Sequence, residues 1–308
     1  MNGQPRLVSV VIPCYNQARY LRTSISSAHA QTCTPREIIV VDDGSSDDTA
    51  AVASAAGAMV LRQKNSGVSG ARNAGLHAAR GEFVVFLDAD DELVPEAVET
   101  GVRTLTSNPA AVCAVGRVRP MDGNGLDLPS SPPRPVIRDL YREWLYENFV
   151  STPGAAVFRR LSLHAMGGFP EGVGPAADYA VYLQLARDNQ IVDHGNVVIR
   201  YRNHPESMSR DSSRMLRATM RVLRKERAQL PTELEADFRR GRARWAHWYG
   251  LQIIEWVLAD QRASGPKLAH LAALATLVRY CPALLASRLR SKVTRSMAPL
   301  TRRRRNAE

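Results

Sequence analysis

Across its first hundred residues the chain alternates short apolar, β-branched runs with segments of helical spacing, and few folds accept that rhythm. "LVSVVI" (7–12), "EIIVV" (37–41), "AMVLR" (58–62) and "EFVVFL" (82–87) read as strands. Between them, residues 17–31 place Leu21, Ile25 and Ala28 at helical spacing, with Asn16 as the expected N-cap. Residues 49–56 are Ala-rich, 67–79 read as a helix, and another helix is expected from about Pro95. Such alternation predicts an α/β fold with a doubly wound, mainly parallel sheet flanked by helices. Ligands in such sheets bind beyond the carboxyl ends of the strands.

After residue 105 the pattern loosens. "AAVCAVGRV" reads as a strand, "SSPPRP" (130–135) as a loop and "STPGAAVFRR" (151–160) as a loop entering a strand. Residues 176–188 read as a helix and 190–202 as strands. Beyond 213 the text is helical and basic, so the expected organisation is 1–105, 106–213 completing the same domain, and a helical extension over 214–308. Charge supports that division. Residues 1–213 carry 20 Lys and Arg against 23 Asp and Glu, whereas 214–308 carry 21 against 7, a net of +14.

The four cysteines, Cys14, Cys33, Cys113 and Cys281, match no zinc or redox spacing and suggest buried thiols in a reducing compartment. The N-terminal apolar run is too short for a secretory signal and stops at Pro13. The most apolar later stretch, "LAHLAALATLV", breaks at Arg279, well short of the ~20 residues that span a bilayer. A cytoplasmic location, peripheral to the inner membrane face if the tail binds lipid, is the expectation.

Two acidic clusters fall at predicted strand ends. "VVDDGSSDDT" can be a turn at Gly44 with Ser45, Ser46 or Asp47 capping the next helix. A carboxylate there can also accept a hydrogen bond from a bound base. In "LDADDELVP" one carboxylate would suffice as a helix cap, yet Asp88, Asp90, Asp91 and Glu92 crowd five positions. A hard divalent cation uses such oxygens. Between the clusters lies "SGVSGARNAGL" (66–76), whose Gly67, Gly70 and Gly75 do not fit the dinucleotide fingerprint.

Taken in order, "SVVIPCYNQARYLRTSISSAHAQT", "EIIVVDDGSSDDT", "NSGVSGARNAGL" and "FVVFLDADDELVPEAVE" resemble the N-terminal half of a non-processive family 2 glycosyltransferase of the GT-A fold. The likeness continues more weakly through "GGFPEGVGPAADYAVYLQLAR" to "YRNHPESMS". It implies a metal-dependent enzyme that moves a sugar, with inversion, from a nucleotide-sugar donor, in the first place a UDP-sugar, to a carbohydrate or lipid-linked acceptor in cell-surface glycan synthesis. By the same resemblance Asp43 meets the uracil N3–H, Pro13 and Tyr15 border the base, and Asp42 shapes the pocket. Arg72 brings positive charge to the diphosphate. Asp88-Ala89-Asp90 matches the family's D-x-D, so Asp90 ligates Mn²⁺ or Mg²⁺ and Asp88 contacts ribose, sugar or the metal's surroundings. Asp91 and Glu92 are left to cap the next helix.

The family's acidic pair after "GGF" reads Ala177-Asp178 here, so Asp178 is the expected general base, with Glu171 a substitute for the missing Glu. His204 is placed near the metal and diphosphate, and Arg202 is a weaker phosphate partner. The departure at Ala177 keeps a second reading open, a nucleotide-sugar-binding protein with little turnover. A nucleotidyltransferase is disfavoured because its Gly-rich, Arg-bearing N-terminal loop is missing. A processive synthase is disfavoured too: ahead of Arg244-Trp245, position 241 is Gly where that class has Gln.

The basic tail has three readings: helices packed on the catalytic domain, attachment to anionic lipid, and nucleic-acid binding. The second rests on Leu268, Leu271, Leu274, Leu277 and Val278 as an apolar stripe beside Arg279, Arg288, Arg290 and Lys292. The third has only "TRRRR" (301–305) behind it, and a nucleic-acid partner is not expected.

Overall fold

The computed structural model describes residues 7–33, 36–130, 132 and 134–288. Strands β1 (Val8–Cys14), β2 (Arg36–Asp42), β3 (Met59–Arg62) and β4 (Phe83–Phe86) alternate with helices α1 (Ala18–His29), α2 (Thr49–Ala55) and α3 (Gly67–Ala78). There follow β5 (Glu92–Leu93), α4 (Ala97–Ser107), β6 (Ala111–Met121), α5 (Leu140–Tyr146), β7 (Ala156–Arg159), α6 (Arg160–Ala165), α7 (Ala177–Asp188) and β8 (Gln190–Arg202). Helices α8 (Ser212–Glu226), α9 (Glu235–Ser264) and α10 (Leu268–Tyr280) complete the described elements.

All eight strands join one sheet in the order β3-β2-β1-β4-β7-β6-β8-β5. The first four are mutually parallel, and β6 runs parallel to β8. β7 opposes both of its neighbours, and β5 opposes β8. The mainly parallel sheet expected from the sequence is therefore present, with an antiparallel strand at its middle. Every residue of β1 is buried, as suits a central strand covered on both faces.

The crevice begins where β1 outlasts β4. Their pairing ends at Val11↔Phe86, with one further bond from Leu87 N to Val11 O at 2.9 Å. Beyond it β1 keeps only β2, so Pro13 can sit in a central strand without depriving β4 of a hydrogen bond. The strand order reverses between β1 and β4, and that is the topological switch point at which α/β sheets place ligands.

Asn16 does not cap α1. It adopts a left-handed backbone (φ 53°), and its Oδ1 accepts from Ser46 N at 2.8 Å, leaving Gln17 at the N-cap. The side chain is used to tie two loops at the mouth of the crevice instead.

The C-terminal helices are not a loose appendage. α9 crosses α5 so closely that a Cβ on Gly241 would stand 2.0 Å from the Leu145 carbonyl oxygen. That contact explains why position 241 holds Gly, since no longer side chain fits. Gly241→Ala is expected to destabilise the protein by about 1–3 kcal/mol, read as a lower urea midpoint with an unchanged slope. An unaltered midpoint would mean the two helices do not meet in this way. Of the apolar stripe read from the tail, Leu277 packs inward instead, at 1% exposure. Arg290, Lys292 and "TRRRR" lie outside the described residues.

Candidate active site

A crevice of about 1650 Å³ opens over the carboxyl ends of β1, β2 and β4 and runs back to α8 and α9. That exceeds the ~300–1,000 Å³ of most single-ligand clefts and leaves room for two substrates. Pro13, Tyr15, Asp43, Arg72, Asp88, Asp90, Asp178 and His204 all line it. Eight positions predicted from sequences far apart in the chain are thus brought together.

At one end, Asp43 follows β2 and reaches the start of α3. Its Oδ1 accepts from Gln63 Nε2 (2.7 Å) and Ser66 N (2.8 Å), and its Oδ2 from Gly67 N (2.9 Å). The carboxylate therefore satisfies two N–H groups that the helix leaves open at its N-terminus. Gly67, at φ +80°, permits the backbone to turn into that contact. Tyr15 stands half-exposed on the rim.

Asp42 is placed differently from the expectation. It does not face the crevice: its Oδ1 accepts from Ser45 N (2.9 Å) and its Oδ2 from Arg62 Nε (3.1 Å). Its effect on the pocket is confined to holding the turn that carries Asp43.

Arg72 sits on α3, buried, and donates from Nη2 to Asp88 Oδ1 at 2.7 Å. Its guanidinium lies 5.1 Å above the Phe169 ring, while Nε finds no acceptor among the described residues. Asp88 Oδ2 accepts from Thr152 Oγ1 at 3.2 Å. Two residues on, Asp90 Oδ2 lies 2.8 Å from His204 Nε2, and His204 Nδ1 lies 2.9 Å from Glu206 Oε2. The hydrogen bond to Asp90 raises the imidazole's affinity for a proton.

Neither Asp91 nor Glu92 caps α4, whose N-cap is Glu96. Asp91 is buried and accepts from Arg202 N (2.9 Å), and its Oδ2 lies 3.3 Å from Thr152 Oγ1, whose one proton it shares with Asp88. Burial, followed by the Asp90 and Asp88 charges, pushes its carboxyl well above the usual range. Glu92 pairs with Arg200 and Arg202, each at 2.5 Å. Arg202 thereby turns away from the crevice wall: it holds Glu92 and the Asp90 main-chain oxygen (2.8 Å) and is no free phosphate partner. These residues build the strand-end loop and orient Asp90. Thr152, which bridges Asp88 and Asp91, carried no signal in the sequence because a lone threonine in a loop has none.

Asp178 occupies the first turn of α7 at 7% exposure. Burial pushes its carboxyl up to about 6, against the opposing pull of the Arg72 charge. Asn148 Nδ2 donates to its Oδ2 at 3.4 Å, while Asn148 Oδ1 has no donor among the described residues. Ala177 beside it is fully packed, and Glu171 lies on the crevice wall. Behind Asp178 the wall is aromatic, with Tyr179 5.6 Å from Trp245 and Trp245 stacked on Tyr249 at 5.6 Å.

Comparison with known proteins accords with this arrangement. The model of the family described as Glycosyl transferase family 2 matches residues 9–167, just over half of the chain. The chain belongs to glycosyl transferase family 2. Within that family it is 42% identical over 105 residues to the uncharacterized glycosyltransferase YibD of Escherichia coli K12, covering 32% of this chain and 30% of that protein. It is 31% identical over 188 residues to a chondroitin synthase of Escherichia coli, covering 58% of this chain and 26% of the relative. The matched stretches thus span less than a third of either relative's length.

Solved structures share the fold. Staphylococcus aureus TarS 1-349 in complex with UDP-GlcNAc superposes with a TM-score of 0.61 at 20% identity, over 89% of this chain and 80% of that one. The mannosyltransferase PcManGT of Pyrobaculum calidifontis, in complex with GDP-Man and Mn²⁺, gives 0.60 at 20% identity, over 91% and 82%. Like these structural neighbours, the chain has the GT-A architecture.

Whether its residues suit a divalent ion can be judged from the donors present. Asp90 Oδ2 and His204 Nε2 lie 2.8 Å apart at one point of the crevice wall, an oxygen and a nitrogen donor on which a cation could draw. Among the described residues no set of three or more His, Cys, Asp or Glu side chains gathers around such a point. Two protein ligands with the rest from phosphate and water is the usual arrangement for ions bound alongside phosphates, so the donor set fits.

Proposed function

We propose that this protein transfers a sugar, with inversion, from a UDP-sugar to the hydroxyl of a carbohydrate or lipid-linked acceptor in cell-surface glycan synthesis. The observation that carries the reading is Asp178, a buried carboxylate held in the crevice with its carboxyl raised to about 6. Such a group is a competent base near neutral pH.

Pro13 and Tyr15 border the uracil, and Asp43 Oδ2, with a single donor, keeps a lone pair for its N3–H. Arg72 sets positive charge beside the diphosphate. Asp178 takes the proton from the acceptor hydroxyl as that oxygen bonds to the anomeric carbon. The bond from that carbon to the diphosphate breaks, and the nucleoside diphosphate leaves with the electron pair. Mn²⁺ or Mg²⁺ on Asp90 and His204 would supply charge neutralisation for the departing diphosphate. The aromatic wall of Trp245, Trp248 and Tyr249 offers flat apolar faces to the acceptor.

Two measurements test the reading. Among UDP-, GDP- and dTDP-sugars presented with Mn²⁺, a UDP-sugar is expected to raise the unfolding temperature most. Protection by the others alone would reject the uracil assignment. With a productive acceptor, proton NMR of the product should show the anomer opposite to that of the donor. Donor binding without product from any acceptor would favour the binding-protein alternative.

The pH dependence follows from the sign of the shift. Only the ionised Asp178 accepts a proton, so kcat/KM is expected to have an acidic limb with a midpoint near 6. Below it the rate should drop about tenfold per pH unit. A profile flat down to pH 4.5 would exclude Asp178 as the base.

A further inference from the structure

Helix α10 is inside out. It turns His270, Ala273, Thr276 and Leu277 toward the protein and leaves Leu268, Leu271, Leu274 and Val278 at 84, 63, 37 and 60% exposure. Ala269, Ala272 and Ala275 complete the outer face, so it presents no polar side chain from 268 to 278. Soluble helices do the reverse.

The orientation is fixed by the polar residues inside. His270 Nε2 meets Asp260 Oδ2 at 2.8 Å, and Thr276 Oγ1 accepts from Arg217 Nη1 at 2.9 Å while donating to the Ala272 carbonyl at 2.9 Å. Rolling the helix to hide its leucines would break these bonds and take buried His270 and Thr276 from their partners. Trp256 on α9, nearly half-exposed, packs edge-on against His270 at 5.4 Å and extends the apolar surface.

Charge identifies what covers this face. From residue 261 to 307 the sequence has eleven Lys and Arg and no Asp or Glu. Asp260, which immediately precedes that run, is paired with Lys267 (3.0 Å) and lies 2.8 Å from His270 Nε2. A second copy of this chain would bring the same excess of positive charge with it. An anionic lipid surface supplies both an apolar layer and the opposite charge.

Length fixes how the helix meets it. At 13 residues α10 is about 20 Å long, against about 30 Å for a hydrocarbon core. Among the described residues no single helix is long and apolar enough to cross a membrane. Among those residues only α10 together with Pro282–Arg288 reaches that length, and the pair is bent by 113°.

We propose that α10, with Trp256, lies in the interface of an anionic bilayer, its outer leucines among the acyl chains and the neighbouring arginines at the headgroups. The inference is independent of the donor chemistry. It is tested by sedimenting the full chain with vesicles of phosphatidylcholine alone and of phosphatidylcholine mixed with phosphatidylglycerol. Binding to the mixed vesicles should exceed binding to neutral ones by about tenfold or more. The triple variant Leu271→Gln, Leu274→Gln, Val278→Gln should lose about tenfold in that binding. Its circular-dichroism melt should not fall, because the three side chains already face solvent. Equal binding by the variant would assign attachment to the basic residues alone, and failure to pellet with either vesicle would reject the surface outright. A wild-type dimer that the variant turns into a monomer would give the face to a second copy. Each of these three outcomes overturns the proposal.

Discussion

Asp178→Asn is expected to lower kcat by about 10²–10⁴-fold while leaving donor affinity within a factor of about two. The amide keeps the shape of the carboxylate and its bond from Asn148 but cannot take a proton. Steady-state rates with saturating donor, alongside calorimetric donor titrations, separate the two effects. A variant with wild-type turnover would leave the reaction without the base assigned to it.

The same substitution should also raise stability, and the pH dependence of that gain has a definite sign. The folded carboxyl is raised from 3.8 to about 6, so ionisation in the folded state is penalised. That penalty is absent below pH 4, grows between 4 and 6, and is complete above 6. Asp178→Asn removes it and offers its new N–H to Asn148 Oδ1, which otherwise has no donor among the described residues. A gain on the order of 2–3 kcal/mol is expected at pH 8 and nearly none at pH 4. Thermal melts at the two pH values decide the matter: equal shifts, or a loss at pH 8, would contradict a strained, buried base.

Asp90→Ala is expected to abolish measurable transfer, with a loss of at least about 10³-fold in kcat/KM. The fold should survive, since Arg202 and Thr152 anchor the loop through the Asp90 main-chain oxygen and through Asp91. His204 retains Glu206 as a partner at 2.9 Å. Titrating a UDP-sugar with and without Mn²⁺ reads the cause. The wild type should bind more tightly with the ion, whereas the variant should show no difference. Ion-dependent donor binding that persists in Asp90→Ala would place the cation elsewhere.

Much of this site was legible because the fold writes it in local sequence. A strand followed at once by Asp42-Asp43, or by Asp88-Ala89-Asp90, puts carboxylates at strand ends whatever the tertiary detail. Position along a strand does not say which neighbour faces the ligand. Asp42 and Asp43 are adjacent, and backbone alternation sends one to Arg62 and the other to the crevice. The roles of Arg202 and Glu92 are hidden from the sequence for a related reason. Their ion pair joins residues 110 positions apart, and no local pattern records it. Asn148 and Thr152, on a loop without periodicity, gave no signal either. The inverted face of α10 was half visible: the leucines could be counted, but only packing shows that Leu277 turns in and its neighbours turn out.

The closeness of α9 to α5 bears on how this protein could be re-engineered. Arg214, Met215, Thr219, Trp245, Trp248 and Tyr249 all come from beyond residue 213 and all face the crevice. Cutting the chain there would not trim an ornament; it would remove one side of the reaction chamber. If Trp245, Trp248 and Tyr249 meet the acceptor as proposed, swapping in a foreign helical cassette that preserves a glycine at the crossing is expected to change acceptor preference with donor choice intact.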